Sequence, residues 1–349
     1  MLGLNAMNKT AIFFISICLI GVGFFAFRTT KRTPARQSKV PTPTINPHPL
    51  SIAYMRTQKY PGSPLQKREK LGNGVNYERY IASYQVDGLT QYGLLTVPTG
   101  EKPTKGWPVI IFNHGYIPPE QYRTTERYLA YTDAFSRNGY IVFKPDYRGN
   151  GSSEGRPEGA YYSPAYTVDV MNAVGSLKQY PDANPDRIGM WGHSMGGNIT
   201  LRTIVVDTKT VKAAVIWGGV VGSYNDLMNN WQRRVPYQPS PRELALRNTN
   251  RKRITDLYGT PTSNPSFWNA IDPTYFLNDI NAPVQLHTGS DDEEVPSAFS
   301  EGLYKKLALL GKKTEFYNYP GGDHNISSPN FEVAIDRSVA FFDRYLKDK

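Results

Sequence analysis

The pattern of apolar and polar residues changes character three times along the chain. Ala11–Phe27 is 17 residues without a charge, residues 28–50 show no apolar period, and from Val75 onward short apolar runs alternate with turn residues. In this last region Val75–Val86 and Leu89–Pro98 flank Asp87-Gly88, which predicts an antiparallel hairpin. The continuous run Val109–Phe112 suits a parallel strand buried on both faces. Strand and helix then alternate. Helices are expected over Thr124–Arg137, Pro164–Tyr180, Met195–Val206, Ser297–Leu310 and Phe331–Leu346, and strands over Tyr140–Phe143, Arg187–Trp191, Ala213–Trp217, Val284–His287 and Thr314–Tyr319. This is the pattern of an α/β protein with an eight-stranded, mostly parallel, doubly wound sheet and an antiparallel start. A long insertion, residues 222–270, follows the sixth strand.

As a helix, Ala11–Phe27 would span about 26 Å, enough to cross a bilayer at the short end of the range. It ends in Phe-Phe-Ala-Phe-Arg rather than at a small-residue cleavage site, so an uncleaved transmembrane anchor is preferred over a signal segment. The expected division is a short N-terminal segment (1–10), the anchor (11–27), a Pro/Thr/basic linker (28–60) and a catalytic body (61–349). Five bases follow the run closely, which taken alone would hold the body in the cytoplasm. The linker composition suits a stalk that holds a domain away from a membrane, and an extracytoplasmic body is expected.

The net charge of +10 suggests a polyanion partner only until its distribution is read. Residues 1–60 hold eight bases and no acid, so residues 61–349 carry 32 bases against 30 acids. A nearly neutral body argues against nucleic-acid binding. The one cysteine, Cys18, lies in the apolar run, which leaves the body without a disulfide framework or a thiolate metal site. No metal-ligand spacing appears and no cofactor is expected. The insertion has seven bases and three acids interspersed with aromatics. It reads as a cap in which Trp231, Tyr237 and Trp268 are candidates for lining a substrate pocket.

Two stretches match the pattern Gly-x-Ser-x-Gly, around Ser153 and Ser194. Only Ser194 stands between a strand and a helix, where a sharp turn presents a serine oxygen above the sheet. A serine hydroxyl needs a hydrogen-bonded base, usually a histidine oriented by a carboxylate. On such a sheet these partners follow in the order serine, acid, histidine. Two histidines come after Ser194. His287 lies within an apolar strand, whereas His324 follows a strand in the loop Pro320–Asn325, so His324 is the expected base. The Met195 N–H, at a helix start, is an expected donor to an oxyanion. The acid lies in the run Asp291-Asp292-Glu293-Glu294. The Gly-rich loop Pro145–Gly155 lacks a phosphate-binding Lys-Ser/Thr ending, and Arg148 and Glu154 are expected to make loop contacts.

Over about residues 75–349 the chain resembles the α/β-hydrolase superfamily, and more closely the prolyl oligopeptidase-type catalytic domain and the small esterases related to it. The resemblance rests on Asn113-His114-Gly115-Tyr116, Pro145–Gly155, Gly192–Gly197, Gly289…Asp292…Val295-Pro296 and Gly322-Asp323-His324. It implies an α/β-hydrolase fold, selects Asp292 as the acid with Asp291 as runner-up, and implies the Tyr116 N–H as second oxyanion donor, a role that the tyrosine hydroxyl can also take.

The expected function is therefore a serine hydrolase cleaving small carboxylic ester or amide bonds through an acyl-enzyme. Larger relatives of this type carry a β-propeller filter, for which the roughly 47 residues between the anchor and Val75 are too few. That tips the expectation toward esters or small amides over a prolyl oligopeptidase-like peptidase. A lyase or acyltransferase on the same residues is a further alternative, as is a membrane-tethered ligand-binding protein that keeps the fold without catalysis.

Overall fold

A computed structural model describes residues 47–235 and 241–347, without the side chains of 242, 243, 246 and 247. The apolar run Ala11–Phe27 lies outside the described residues, among which no helix is long and apolar enough to cross a membrane.

The sheet has nine strands rather than the eight expected. They are β1 (Gln66–Leu71), β2 (Tyr77–Val86), β3 (Leu89–Pro98), β4 (Trp107–Asn113), β5 (Ile141–Pro145), β6 (Ala183–His193), β7 (Val211–Trp217), β8 (Val284–Gly289) and β9 (Thr314–Tyr319). Their order is β1-β2-β3-β5-β4-β6-β7-β8-β9, with β1, β2 and β3 antiparallel and β5 through β9 parallel. The strand that the sequence did not reveal, β1, reads Gln-Lys-Arg-Glu-Lys-Leu and is exposed along almost its whole length. It has no apolar face to signal it, and its charges and its irregular register between Lys67 and Glu69 suit an unpaired sheet edge. The hairpin expected at Asp87-Gly88 pairs Val86 with Leu89, both turn residues having positive φ.

Period-two alternation sorts the central strands between two cores. Val109 and Ile111 of β4 and Ile141 and Phe143 of β5 face one layer, while Ile110, Phe112 and Val142 face the other. The first layer is covered by α1 (Ile52–Thr57), α3 (Ala165–Leu177), α4 (Met195–Val206) and α7 (Ser297–Leu309), the second by α2 (Leu129–Arg137) and α8 (Phe331–Leu346). Every residue of α4 is buried, because this helix runs beneath the insertion as well as against the sheet. Helix α1 lies within the expected linker yet is part of the body. Ser51 caps it by accepting from the Tyr54 N–H, Ile52 and Met55 are buried, and Arg56 reaches the Val205 carbonyl at 2.7 Å.

The insertion contributes a π-helical turn (Asp226–Asn230), α5 (Pro241–Tyr258) and α6 (Pro265–Ile271). Its own small core joins Tyr224, Ile254, Trp268 and Ile271 to Leu50. Arg202 of α4 fastens it from below, donating to the carbonyls of Leu50 (3.2 Å) and Ile271 (2.9 Å) and to the Tyr224 hydroxyl (3.0 Å).

From β4 the chain moves outward to β5 and then returns to β6 on the opposite side. Such a switch in strand order opens a crevice at the carboxyl ends of the two strands, here Asn113 and His193. The loop after β5 is braced next to that crevice. Arg148 donates to Asp169 of α3 through its main chain (2.9 Å) and its guanidinium (2.6 Å), and reaches Asp87 at 3.0 Å. Glu154 accepts from the Thr90 N–H at 2.6 Å. Both residues thus make the loop contacts expected of them.

The Asp169 side chain is fully buried and that of Asp87 is 58% exposed. Asp169→Ala strands a buried guanidinium and is expected to lower the unfolding free energy by about 3–5 kcal/mol. Asp87→Asn should cost under about 1 kcal/mol. Urea denaturation of the two variants beside the parent checks the contrast, and equal effects would mean that the buried pair is not what braces this loop.

Candidate functional site

Ser194 stands alone between the last residue of β6 and the first of α4, with φ 54° and ψ −118°. A non-glycine residue is strained there, and the surroundings hold it in place. Its N–H donates to the Trp217 carbonyl, and its carbonyl accepts from Gly197 and Val220 N–H, all at 3.0 Å. The turn also needs bare backbone: a Cβ on Gly196 would lie 1.9 Å from the Asn113 carbonyl oxygen. The other matching serine, Ser153, is buried in the loop after β5, where its hydroxyl accepts from the Tyr92 N–H at 2.9 Å.

His324, in the loop after β9, is nearly buried and places Nδ1 2.8 Å from Oδ2 of Asp292. The other oxygen of Asp292, Oδ1, accepts from the N–H groups of Glu294 and Val295, both at 2.8 Å. Asp291 points away, is exposed and accepts from the Ser290 hydroxyl. The Asp292–His324 pair fits against the end of β7 because position 218 is glycine. A Cβ there would stand 3.0 Å from the His324 carbonyl, 3.1 Å from Nδ1 and 3.3 Å from Oδ2 of Asp292, and Gly218 has a positive φ.

Ser194, His324, Met195 and Tyr116 line one cavity of about 150 Å³. Met195 opens α4, so its N–H has no acceptor within the helix. The loop bearing Tyr116 passes directly over the serine: a Cβ on Gly115 would lie 3.1 Å from Cβ of Ser194. Trp231 lines the cavity, with its indole N–H donating to the Glu294 carbonyl at 2.8 Å. Trp268 does not. It is 1% exposed in the core of the insertion and donates to the Gly259 carbonyl, so the expectation that it faces substrate is corrected. Tyr237 lies outside the described residues. Among the described residues no group of three His, Cys, Asp or Glu side chains is placed to hold a metal ion.

Sequence reasoning missed the network beneath the serine. The Gly115 N–H donates to the Tyr128 hydroxyl (2.9 Å), which lies 2.8 Å from Nδ1 of His193, while Nε2 of His193 lies 3.0 Å from the His324 carbonyl. With the tyrosine accepting from Gly115, its O–H donates to Nδ1 and the imidazole N–H sits on Nε2. One neutral histidine thus ties together the loop after β4, the serine turn and the loop of His324. Burial, reinforced by His324, pushes the His193 pKa down to about 3. His114 is stacked between Tyr122 and Tyr147, and burial with the nearby Lys144 likewise lowers its pKa to about 3. His287, in β8 as expected, is fully buried between the Tyr319 hydroxyl and Gln285, and burial holds it well below the ordinary value. The sequence placed Tyr128 inside the helix expected over Thr124–Arg137, whereas the helix begins at Leu129, and nothing marked the hydroxyl.

The profile of the prolyl oligopeptidase family matches residues 128–349. Over 74% of its length the chain is 28% identical to the uncharacterized peptidase YtmA of Bacillus subtilis (strain 168), of which it covers 91%. It covers less than half of other matching peptidases. Its fold is similar to that of the Pyrococcus horikoshii acylaminoacyl peptidase (TM-score 0.61, 20% identity, 78% of this chain and 42% of that one). It is equally similar to an acetyl xylan esterase from Paenibacillus sp. R4 (TM-score 0.61, 18% identity, 84% and 92%).

A histidine held neutral in the folded state but free to charge when unfolded, at about pH 6.5, gives stability that is complete above that pH. As pH falls toward 3 the unfolded chain takes up protons that folded His114, His193 and His287 refuse, and stability is lost. Replacing one of them, His287→Gln, should therefore flatten the dependence of unfolding free energy on pH between 6 and 4 by up to about 1.4 kcal/mol per pH unit. Urea titrations at several pH values read this, and parallel curves for parent and variant would rule it out.

Proposed function

The chain belongs to the prolyl oligopeptidase family of serine hydrolases, and from that premise we propose that it cleaves small carboxylic ester or amide bonds, with Ser194 as nucleophile, His324 as base and Asp292 as the acid that orients it. The observation that carries this reading is the convergence in one cavity of a strained serine and a histidine whose Nδ1 is held by a buried carboxylate at 2.8 Å. With Nδ1–H directed at Asp292, Nε2 is the nitrogen left to receive a proton. Ser194 Oγ passes its proton to Nε2 and bonds to the acyl carbon, whose carbonyl oxygen becomes an oxyanion facing the N–H groups of Met195 and Tyr116. His324 then returns the proton to the leaving oxygen or nitrogen, and the acyl–oxygen or acyl–nitrogen bond breaks. Water repeats the sequence on the acyl-enzyme, releasing the carboxylic acid and restoring the serine.

The small cavity, lined by Tyr161, Tyr162 and Trp231, favours short or aromatic acyl groups over long chains. Peptide substrates are the second reading, favoured by the family itself and by the peptidases among its relatives. In this proposal Ala11–Phe27 tethers the enzyme to a membrane, the chain after it leads to the body, and the body works on the extracytoplasmic side.

The test uses the full-length chain and its Ser194→Ala and Ser153→Ala variants on short p-nitrophenyl esters and aminoacyl p-nitroanilides. Ester turnover should fall by at least about a thousandfold in Ser194→Ala and persist in Ser153→Ala. Ser194-dependent anilide cleavage would establish the peptidase reading. Turnover that survives Ser194→Ala, or failure of a fluorophosphonate probe to label Ser194 in the folded protein, would sink both.

A further inference from the structure

The acid of the proposed triad sits in an irregular loop, Ser290–Pro296, between β8 and α7. On one side this loop is tied to the strand and loop that lead to the base: the Ser290 N–H donates to the Tyr319 carbonyl and the Asp291 N–H to the Gly322 carbonyl, both at 2.9 Å. On its other side lies the segment that opens the insertion. The Arg234 guanidinium donates to the carbonyl of Asp292 at 3.0 Å, and the Arg234 N–H donates to that of Glu293 at 2.8 Å. The Trp231 indole takes the carbonyl of Glu294 at 2.8 Å, and Arg233 pairs with the Glu294 carboxylate. Three successive carbonyls of the acid loop thus accept from residues of the insertion.

We propose that Trp231–Arg234 is a strap that positions the acid, and that Arg234 is its positioning residue for catalysis. This inference rests on the hydrolase reading above. The loop has no regular secondary structure, so its backbone position is set by the contacts on its two sides. Asp292 must meet Nδ1 of His324 with one oxygen while the other keeps the Glu294 and Val295 N–H groups. A displacement of about 1 Å in such a constellation costs on the order of a hundredfold in rate. The Arg234 contact is charge-assisted, hence stronger than a neutral one, and it falls on the carbonyl of the acid itself. Arg234 is otherwise exposed. Its guanidinium fills no core, which separates an effect on the acid from an effect on folding.

The experiment uses the full-length chain with Arg234→Ala and Arg234→Lys. It reads kcat and KM on p-nitrophenyl acetate, the rate of fluorophosphonate labelling of Ser194, and the thermal unfolding midpoint. Arg234→Ala should lower kcat and the labelling rate by about tenfold or more, with KM changed less than about twofold and the midpoint moved by no more than about 2 °C. Arg234→Lys, which keeps a cationic donor for the carbonyl, should recover most of kcat. Unchanged kcat in Arg234→Ala would overturn the strap while leaving the hydrolase reading intact, as would a loss tracking the fraction unfolded, a loss confined to KM, or a lysine variant no better than alanine. A parent protein without Ser194-dependent turnover would overturn both.

Discussion

The whole arrangement turns on how closely the end of β4 is allowed to approach the serine turn. A Cβ on Gly196 would overlap the Asn113 carbonyl oxygen at 1.9 Å, and one on Gly115 would press on Ser194. Bare backbone at these positions lets β4 and β6, adjacent and parallel, bring their carboxyl ends together at the switch in strand order. The loop after β4 can then lie over the serine, with Met195 opening a fully buried helix on the other side. A side chain at either glycine would separate the elements that the cavity needs in contact.

Around this point the structure uses neutral hydrogen-bonding groups more than charges. His193 is kept uncharged by burial and serves as a two-ended link, accepting from Tyr128 and donating to the main chain of His324. A protonated imidazole would lose its acceptor nitrogen, and the Tyr128 O–H could no longer donate to it. Charged side chains, apart from Asp292, instead tie the surrounding elements to the site. Arg148 and Asp169 brace the loop after β5, Arg202 fastens the insertion to α4, and Arg233 and Arg234 meet the loop that carries Asp292. The insertion therefore has two attachments, one through its own apolar core and Leu50, and one through polar contacts at the edge of the cavity.

The central parallel strands were legible because a strand buried on both faces is largely apolar, and the serine turn because its geometry demands glycine at fixed offsets. The edge strand β1 was not, since an edge exposed to water has neither requirement. Trp231 and Trp268 are equivalent in composition, and only packing put one at the cavity and the other in the core of the insertion. Asp291 and Asp292 are neighbours in an acidic run that residue type alone does not divide; the motif resemblance selects Asp292, and it is Asp292 whose side chain meets His324.

By itself, then, the sequence determined the hairpin, the parallel strands with the helices that alternate with them, and the place of the strained serine. Each of these follows from local periodicity or from the conformational freedom of a few glycines. Tertiary structure alone decided which tryptophan faces the cavity, and that Tyr128, His193 and Arg234 join loops far apart in the chain. Those partners are mostly main-chain carbonyls and N–H groups, which nearly every residue carries, and only folding selects among them.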